Sequence, residues 1–219
     1  MRKIIVSTFL TMDGVLQAPG GPEEDRTNGF QWGGWMFHYA DDTTNNAIGE
    51  LMSKPFDLLL GRRTYEIFAA HWPYQQDQIG ELFNRINKYV VATTPVDISW
   101  KTSFLISKNV VNELKKLKEQ DGSNLLVHGS GKLVQTLFAN RLVDELHTWI
   151  FPITLGKGKK LFEEGVQAQQ WKLTQSVISK TGVIIASYVP DGEVKQGSYV
   201  PEKPSAAEIE RRKKWEKEA

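Results

Sequence analysis

The chain has 219 residues, 40% hydrophobic and 24% charged, with a net charge of +1. That is the make-up of one globular domain, or of one domain plus an appendage, with no general attraction for nucleic acid or a membrane surface. There is no cysteine, which removes disulfides, thiolate nucleophiles and cysteine metal sites; no apolar run approaches the length of a membrane span and the N-terminus is too short and polar for a signal-peptide core, so a cytoplasmic protein is expected.

Residues 4–10 read as a buried strand, and Thr11-Met12-Asp13-Gly14-Val15 follows as a turn signalled by Asp13-Gly14. Residues 17–35 are glycine-rich and irregular, yet Phe30, Trp32 and Trp35, with Phe37 and Tyr39 just beyond, are too many aromatics for a disordered segment. The loop is therefore expected to be ordered over a pocket or an interface. Trp32 and Trp35 are candidates to border a planar substrate; the alternative is that both are plain core residues.

Asp41 and Asp42 read as caps of a helix whose apolar face is Ala47, Ile48, Leu51 and Met52, ended by Pro55. Residues 57–60 form a short strand running into Gly61-Arg62-Arg63-Thr64-Tyr65, with a helix over 65–70. Two arginines at a helix start oppose its dipole unless an anion is near, and their planar forks suit phosphate; the bland reading is a solvated pair. A helix over 79–87 precedes a strand over 88–92, which ends in Thr93-Thr94-Pro95. Residues 104–106 make a fourth strand, and Ser107 is expected to cap a helix with Val110, Val111, Leu114 and Leu117 inward.

Leu125-Leu126-Val127 is a buried strand that stops at Gly129-Ser130-Gly131, and Leu133, Val134, Leu137 and Phe138 then follow at helical spacing. A helix start offers unpaired N–H groups, glycine admits close approach, and Lys132 adds charge, so this turn can hold a phosphate. It can equally be a tight turn that binds nothing. It is not a Walker A loop, since Leu133 follows Gly131-Lys132, nor a Rossmann fingerprint, since Val134 stands where a small residue is needed.

A long strand over 144–153, a basic glycine turn over 155–162, and a hairpin of strands 171–179 and 183–189 complete the body. Strands alternating with helices imply a parallel sheet, and the hairpin an antiparallel edge. The expected domain is 1–190, followed by a charged tail over 191–219. There Ser205 and Glu208 suggest a capping box, and Ile209 and Trp215 are the apolar anchors of a short surface helix, docked or frayed. Four scattered histidines have no metal-ligand spacing, so no metal site is expected, and His128 reads as a satisfied core histidine.

Five motifs in order resemble the dihydrofolate-reductase-like superfamily, and most of all its RibD C-terminal-domain family. They are Thr11-Met12-Asp13-Gly14, Leu60-Gly61-Arg62-Arg63-Thr64-Tyr65, Val127-His128-Gly129-Ser130-Gly131, Leu142-Val143-Asp144-Glu145-Leu146, and Phe151-Pro152-Ile153-Thr154-Leu155-Gly156 with the lysines after it. The resemblance implies a three-layer α/β fold, with a mostly parallel central sheet, helices on both faces and an antiparallel C-terminal hairpin. It implies NADPH as cofactor. Arg62, Arg63 and Thr64 would lie on the 2′-phosphate and pyrophosphate, with Gly61 before them. Thr93 would lie by the adenosine, and Gly129, Ser130, Gly131, Lys132 and Leu133 along the pyrophosphate. Thr8, Gly14 and Val15 would lie beside the nicotinamide.

The expected function is hydride transfer from NADPH to a small pterin- or pyrimidine-like heterocycle; the alternative is a non-catalytic nucleotide- or ligand-binding protein of the same fold. The family's substrate carboxylate has no secure counterpart here, leaving Asp13, Asp41 and Asp42 as weak candidates. A small-molecule substrate and a second copy, in a homodimer, are the expected partners.

Overall fold

The computed structural model describes residues 1–163, 166–199 and 203–218. Eight strands form one sheet in the order β4-β3-β2-β5-β1-β6-β8-β7. They are β1 (Ile4–Thr11), β2 (Phe56–Gly61), β3 (Lys88–Val91), β4 (Ser103–Ile106), β5 (Asn124–His128), β6 (Glu145–Phe151), β7 (Trp171–Ile178) and β8 (Ile184–Pro190). The first six neighbours run parallel, and β8 and β7 add on antiparallel. β2 is buried at every position, as a strand covered on both faces must be.

The helices are α1 (Asp42–Met52), α2 (Arg62–His71), α3 (Gln78–Arg85), α4 (Val110–Glu119), α5 (Gly131–Ala139) and α6 (Ala206–Glu216). Strand alternation divides the core. Ile4, Val6, Leu125 and Val127 face α4 and α5, packing with Leu114, Leu117, Leu133, Val134, Leu137 and Phe138. On the opposite face Leu58, Leu60 and Leu126 meet Tyr65 of α2 and Phe83 of α3, with Leu51 and Met52 of α1 alongside. A further cluster on that side joins Val15, Phe30, Trp35, Trp149 and Phe151. The three-layer arrangement expected from the sequence is the one observed. At the amino ends of the strands, Arg2 forms a buried ion pair with Asp57 and reaches Ser123 and Tyr89, linking β2 and β3 to the segments that enter β1 and β5.

Several local expectations change. Helix α2 starts at Arg62, not Tyr65. Ser107 does not cap α4; Asn109, left-handed at φ 49°, precedes it without a side-chain cap. Only Asp41 caps α1, accepting from the Thr44 N–H at 2.9 Å, while Asp42 is the first helical residue. Strand β6 stops at Phe151, two residues short of the expected end. Ser205 caps α6, but Glu208 turns to Arg211 and Arg212 instead of back to the cap, so the box is half made. Helix α6 is formed and undocked: Trp215 is 58% exposed, under the Arg211 guanidinium at 4.4 Å. Among the described residues no helix is long and apolar enough to cross a membrane.

Candidate functional site

Helix α2 leaves β2 over one face of the sheet, and α5 leaves the neighbouring β5 over the other. Such a switch opens a crevice at the carboxyl ends of the strands, the preferred ligand position in open α/β sheets. Two helix N-termini face that crevice, each with backbone N–H groups lacking helical partners.

The two starts are packed against one another. A Cβ on Gly61 would run into Ser130 Oγ and lie 3.1 Å from Ser130 Cβ, so a side chain there would have to displace Ser130. Gly129 and Ser130 are both left-handed, at φ 69° and 70°. Strain of this kind in a non-glycine residue collects at functional sites. Gly131 opens α5 outside the left-handed region, and a Cβ on it would meet nothing within 4 Å. Its glycine therefore keeps space open and serves no turn.

A cavity of about 1430 Å³ fills the crevice. The structure brings Thr8, Gly61, Arg62, Arg63, Thr64, Thr93, Gly129, Ser130, Gly131, Lys132 and Leu133 together in its wall. Arg62 pairs with Glu66 at 2.8 Å, which offsets part of its charge, and Arg63 donates to Thr27 Oγ1 at 3.0 Å. Lys132 adds a third cation to this end.

Other expected site residues lie elsewhere. Gly14 and Val15 do not line the cavity: Val15 is fully buried in the core and bridges to Lys160, and the Gly14 carbonyl accepts from Leu161. Asp13 is a loop latch, accepting from Gly156 N–H at 2.8 Å, Leu155 N–H at 3.2 Å and Thr11 at 2.6 Å. Burial would raise its carboxyl, but those hydrogen bonds outweigh that and hold it below the usual range. Asp41 caps α1 and accepts from the Thr181 N–H at 3.3 Å; neither it nor Asp42 reaches the cavity. Trp32 is 57% exposed, and Trp35 is core, donating from its indole to Gln17 at 2.8 Å and packing edge-on against Phe151. Neither lines the cavity.

The loop still forms a wall, through residues 18–25 and Met36. It is held by an ion pair between Lys159 and Asp25 and by Lys159 N–H on Gln17 at 3.1 Å. Glu24 is the carboxylate it folds inward, accepting from Gly20 and Gly21 at 2.7 and 3.1 Å. Burial, with the Asp25 charge beside it, raises its carboxyl above the usual range.

Sequence reasoning also misread His128. It lines the cavity, and its Nε2 is buried without a hydrogen-bond partner, so it is not a satisfied core histidine. Burial lowers its pKa to about 4, which leaves it neutral at pH 7. The available signal was its place at the end of a buried strand directly before the glycine turn.

Residues 2–185 match the family model of the RibD C-terminal domain. The chain belongs to that family. Among its relatives is the uncharacterised protein YyaP of Bacillus subtilis, 25% identical over 192 residues, covering 85% of this chain and 94% of YyaP. A solved structure of a Shewanella protein assigned by name to riboflavin biosynthesis superposes with a TM-score of 0.65 at 21% identity, over 86% of this chain and 99% of that one. Dihydrofolate reductase from Enterococcus faecalis, complexed with NADP(H), superposes with a TM-score of 0.55 at 14% identity, over 86% and 96%. The fold is dihydrofolate-reductase-like, and family and fold both point to reductases.

Proposed function

We infer that the protein is an NADPH-dependent reductase of a small planar heterocycle. The observation that carries this is the joined pair of helix starts. Two dipole ends, the open space at Gly131 and three cations line one end of a single cavity. That is the chemistry a dinucleotide's phosphates require. In this reading Arg62, Arg63 and Thr64 hold the 2′-phosphate, Thr93 borders the adenosine, and residues 129–133 take the pyrophosphate. Thr8, buried in the cavity wall on β1, lies on the nicotinamide side.

When bound, NADPH supplies the hydride, so the protein's part is orientation and exclusion of water. No nucleophile or carboxylate pair is needed. A fluorescence titration with NADPH and NADH tests the reading, with tighter binding of NADPH expected and equal affinity refuting the role of the arginines. NADPH oxidation in the presence of heterocyclic acceptors then separates a reductase from a binding protein of the same fold.

A further inference from the structure

The cavity is far larger than its cationic end, and its other arm is chemically different. Phe68, Trp72 and Phe83 line it as one aromatic group, with Phe68 and Phe83 stacked at 5.8 Å and Trp72 edge-on to Phe83 at 5.0 Å. The His128 ring stands 6.4 Å from both Phe68 and Phe83. Across the strands it is in register with Ser7 of β1, which also lines the cavity. His71, edge-on to Trp72 at 4.8 Å, and Ser7 are the other polar groups here, and of these side chains His128 carries the buried nitrogen without a partner.

A buried polar nitrogen without a partner is costly and uncommon in native folds. Among the described residues nothing compensates the Nε2 of His128. An apolar side chain of similar shape, packed between the same phenylalanines, would avoid that cost. The position makes sense if a ligand supplies the missing partner. The imidazole lines the cavity, and its Cβ–Cγ torsion is soft, so a modest ring turn presents a nitrogen to a bound molecule.

We propose that His128 orients an uncharged, carbonyl-bearing planar heterocycle in this aromatic arm. The proposal rests on the reductase reading for the identity of the site, but not for its test. A neutral imidazole donates through one nitrogen and accepts through the other. With the proton on Nε2, the unpartnered nitrogen, it donates to a ring carbonyl, which a lactam or dione presents at its edge and a diamino ring replaces by an amino donor. An amidine edge gains more from a carboxylate; Phe68, Trp72 and Phe83 supply none, and Glu24 on the facing wall is already held by two backbone N–H groups. His128 is a positioning residue here; no proton transfer is assigned to it.

The test uses the full chain with a matched pair of probes, 2,4-dioxopteridine and 2,4-diaminopteridine, titrated by quenching of tryptophan fluorescence with and without NADPH. The dioxo compound should bind more tightly to the wild type. His128→Phe should weaken it about tenfold, the value of one hydrogen bond between uncharged groups. The same variant should melt at the same or a higher temperature, because an uncompensated nitrogen has gone. It should bind NADPH within about twofold of wild type, since it leaves the cationic end untouched. His128→Asn, which keeps a neutral donor and acceptor, should recover part of the binding and covers the case of a misfolded phenylalanine variant.

Unchanged dioxopteridine affinity in both variants overturns the proposal, as does a wild type that prefers the diamino compound or binds neither. A lower melting temperature in His128→Phe with unchanged binding makes the residue structural. If NADPH fails to bind but dioxopteridine binding depends on His128, the reductase reading falls and this inference stands.

Discussion

Gly131→Ala separates phosphate binding from turn geometry at the start of α5. The residue lies outside the left-handed region, and its new Cβ would meet no protein atom within 4 Å. The substitution therefore costs the fold nothing by contact. By restricting the unfolded chain, glycine to alanine at a compatible position stabilises by about 0.4–1 kcal/mol. In a chain of this size that is a rise of roughly 1–4 °C in melting temperature. The same methyl projects into the space assigned to the pyrophosphate. Losing one charge-assisted contact costs about 1.5–3 kcal/mol, or roughly 10- to 150-fold in Kd. Scanning fluorimetry and an NADPH titration read the two effects separately. Gly129→Ala is the contrast: at φ 69° a Cβ is strained by about 1–2 kcal/mol, so its melting temperature should fall. An unchanged NADPH affinity in Gly131→Ala would refute the phosphate role of the turn.

Arg63→Gln should narrow the preference for NADPH over NADH by roughly tenfold, and a preference equal to wild type would remove Arg63 from the 2′-phosphate. Lys88 is fully buried against Trp100, Phe83 and Thr102, and burial lowers its pKa from 10.5 to about 8. Between those values the unfolded chain binds more protons, so stability should rise as pH climbs from 8 to 10.5; an identical urea-midpoint slope in Lys88→Met would contradict this. Truncation after Pro190 should leave a folded, NADPH-binding domain, because Ile209 and Trp215 stay 41% and 58% exposed; an insoluble product would count against that boundary. A homodimer would have reason to cover the edge strand β7, where Leu173 and Ile178 are 50% and 69% exposed; sedimentation of Ile178→Lys should then show monomer.

The legible parts of this protein were those coded by near neighbours in sequence. Strands β1, β2 and β5 are apolar runs ended by turn residues, and each helix from α1 to α5 carries its apolar face at helical spacing. Gly61 and residues 129–131 could be read as cavity residues because glycine, charge and a helix start occur there in one short string. The other wall has no such string. The path of residues 17–35 depends on Gly33, where a Cβ would lie 2.5 Å from the Gly21 carbonyl oxygen, and on the distant pair of Lys159 with Asp25. Those contacts carry Trp35 into the core and leave Trp32 outside, a choice that composition does not express. His128 failed for a related reason. Whether a strand-end histidine is satisfied depends on partners contributed by other elements, and here α2 and α3 contribute phenyl rings.

The same division separates a fixed half of the site from an adjustable one. The absence of a side chain at Gly61 leaves the room that Ser130, left-handed at the start of α5, occupies beside the start of α2. Donors fixed before the ligand arrives need no reorganisation on binding, which favours a constant group such as a phosphate. The facing wall is loop, tied down by the Asp25 pair, by Gln17 and by the Glu24 carboxylate on two backbone N–H groups. Phe30 and Trp35 anchor the far end of this loop in the core beside Trp149 and Phe151, while residues 19–25 are tied by side chains on the loop itself and on the turn over 155–162, so that stretch can be reshaped with the sheet intact. On the proposed reductase reading, selection of the varying partner, the substrate, falls to that loop and the aromatic arm, and cofactor grip to the two helix starts.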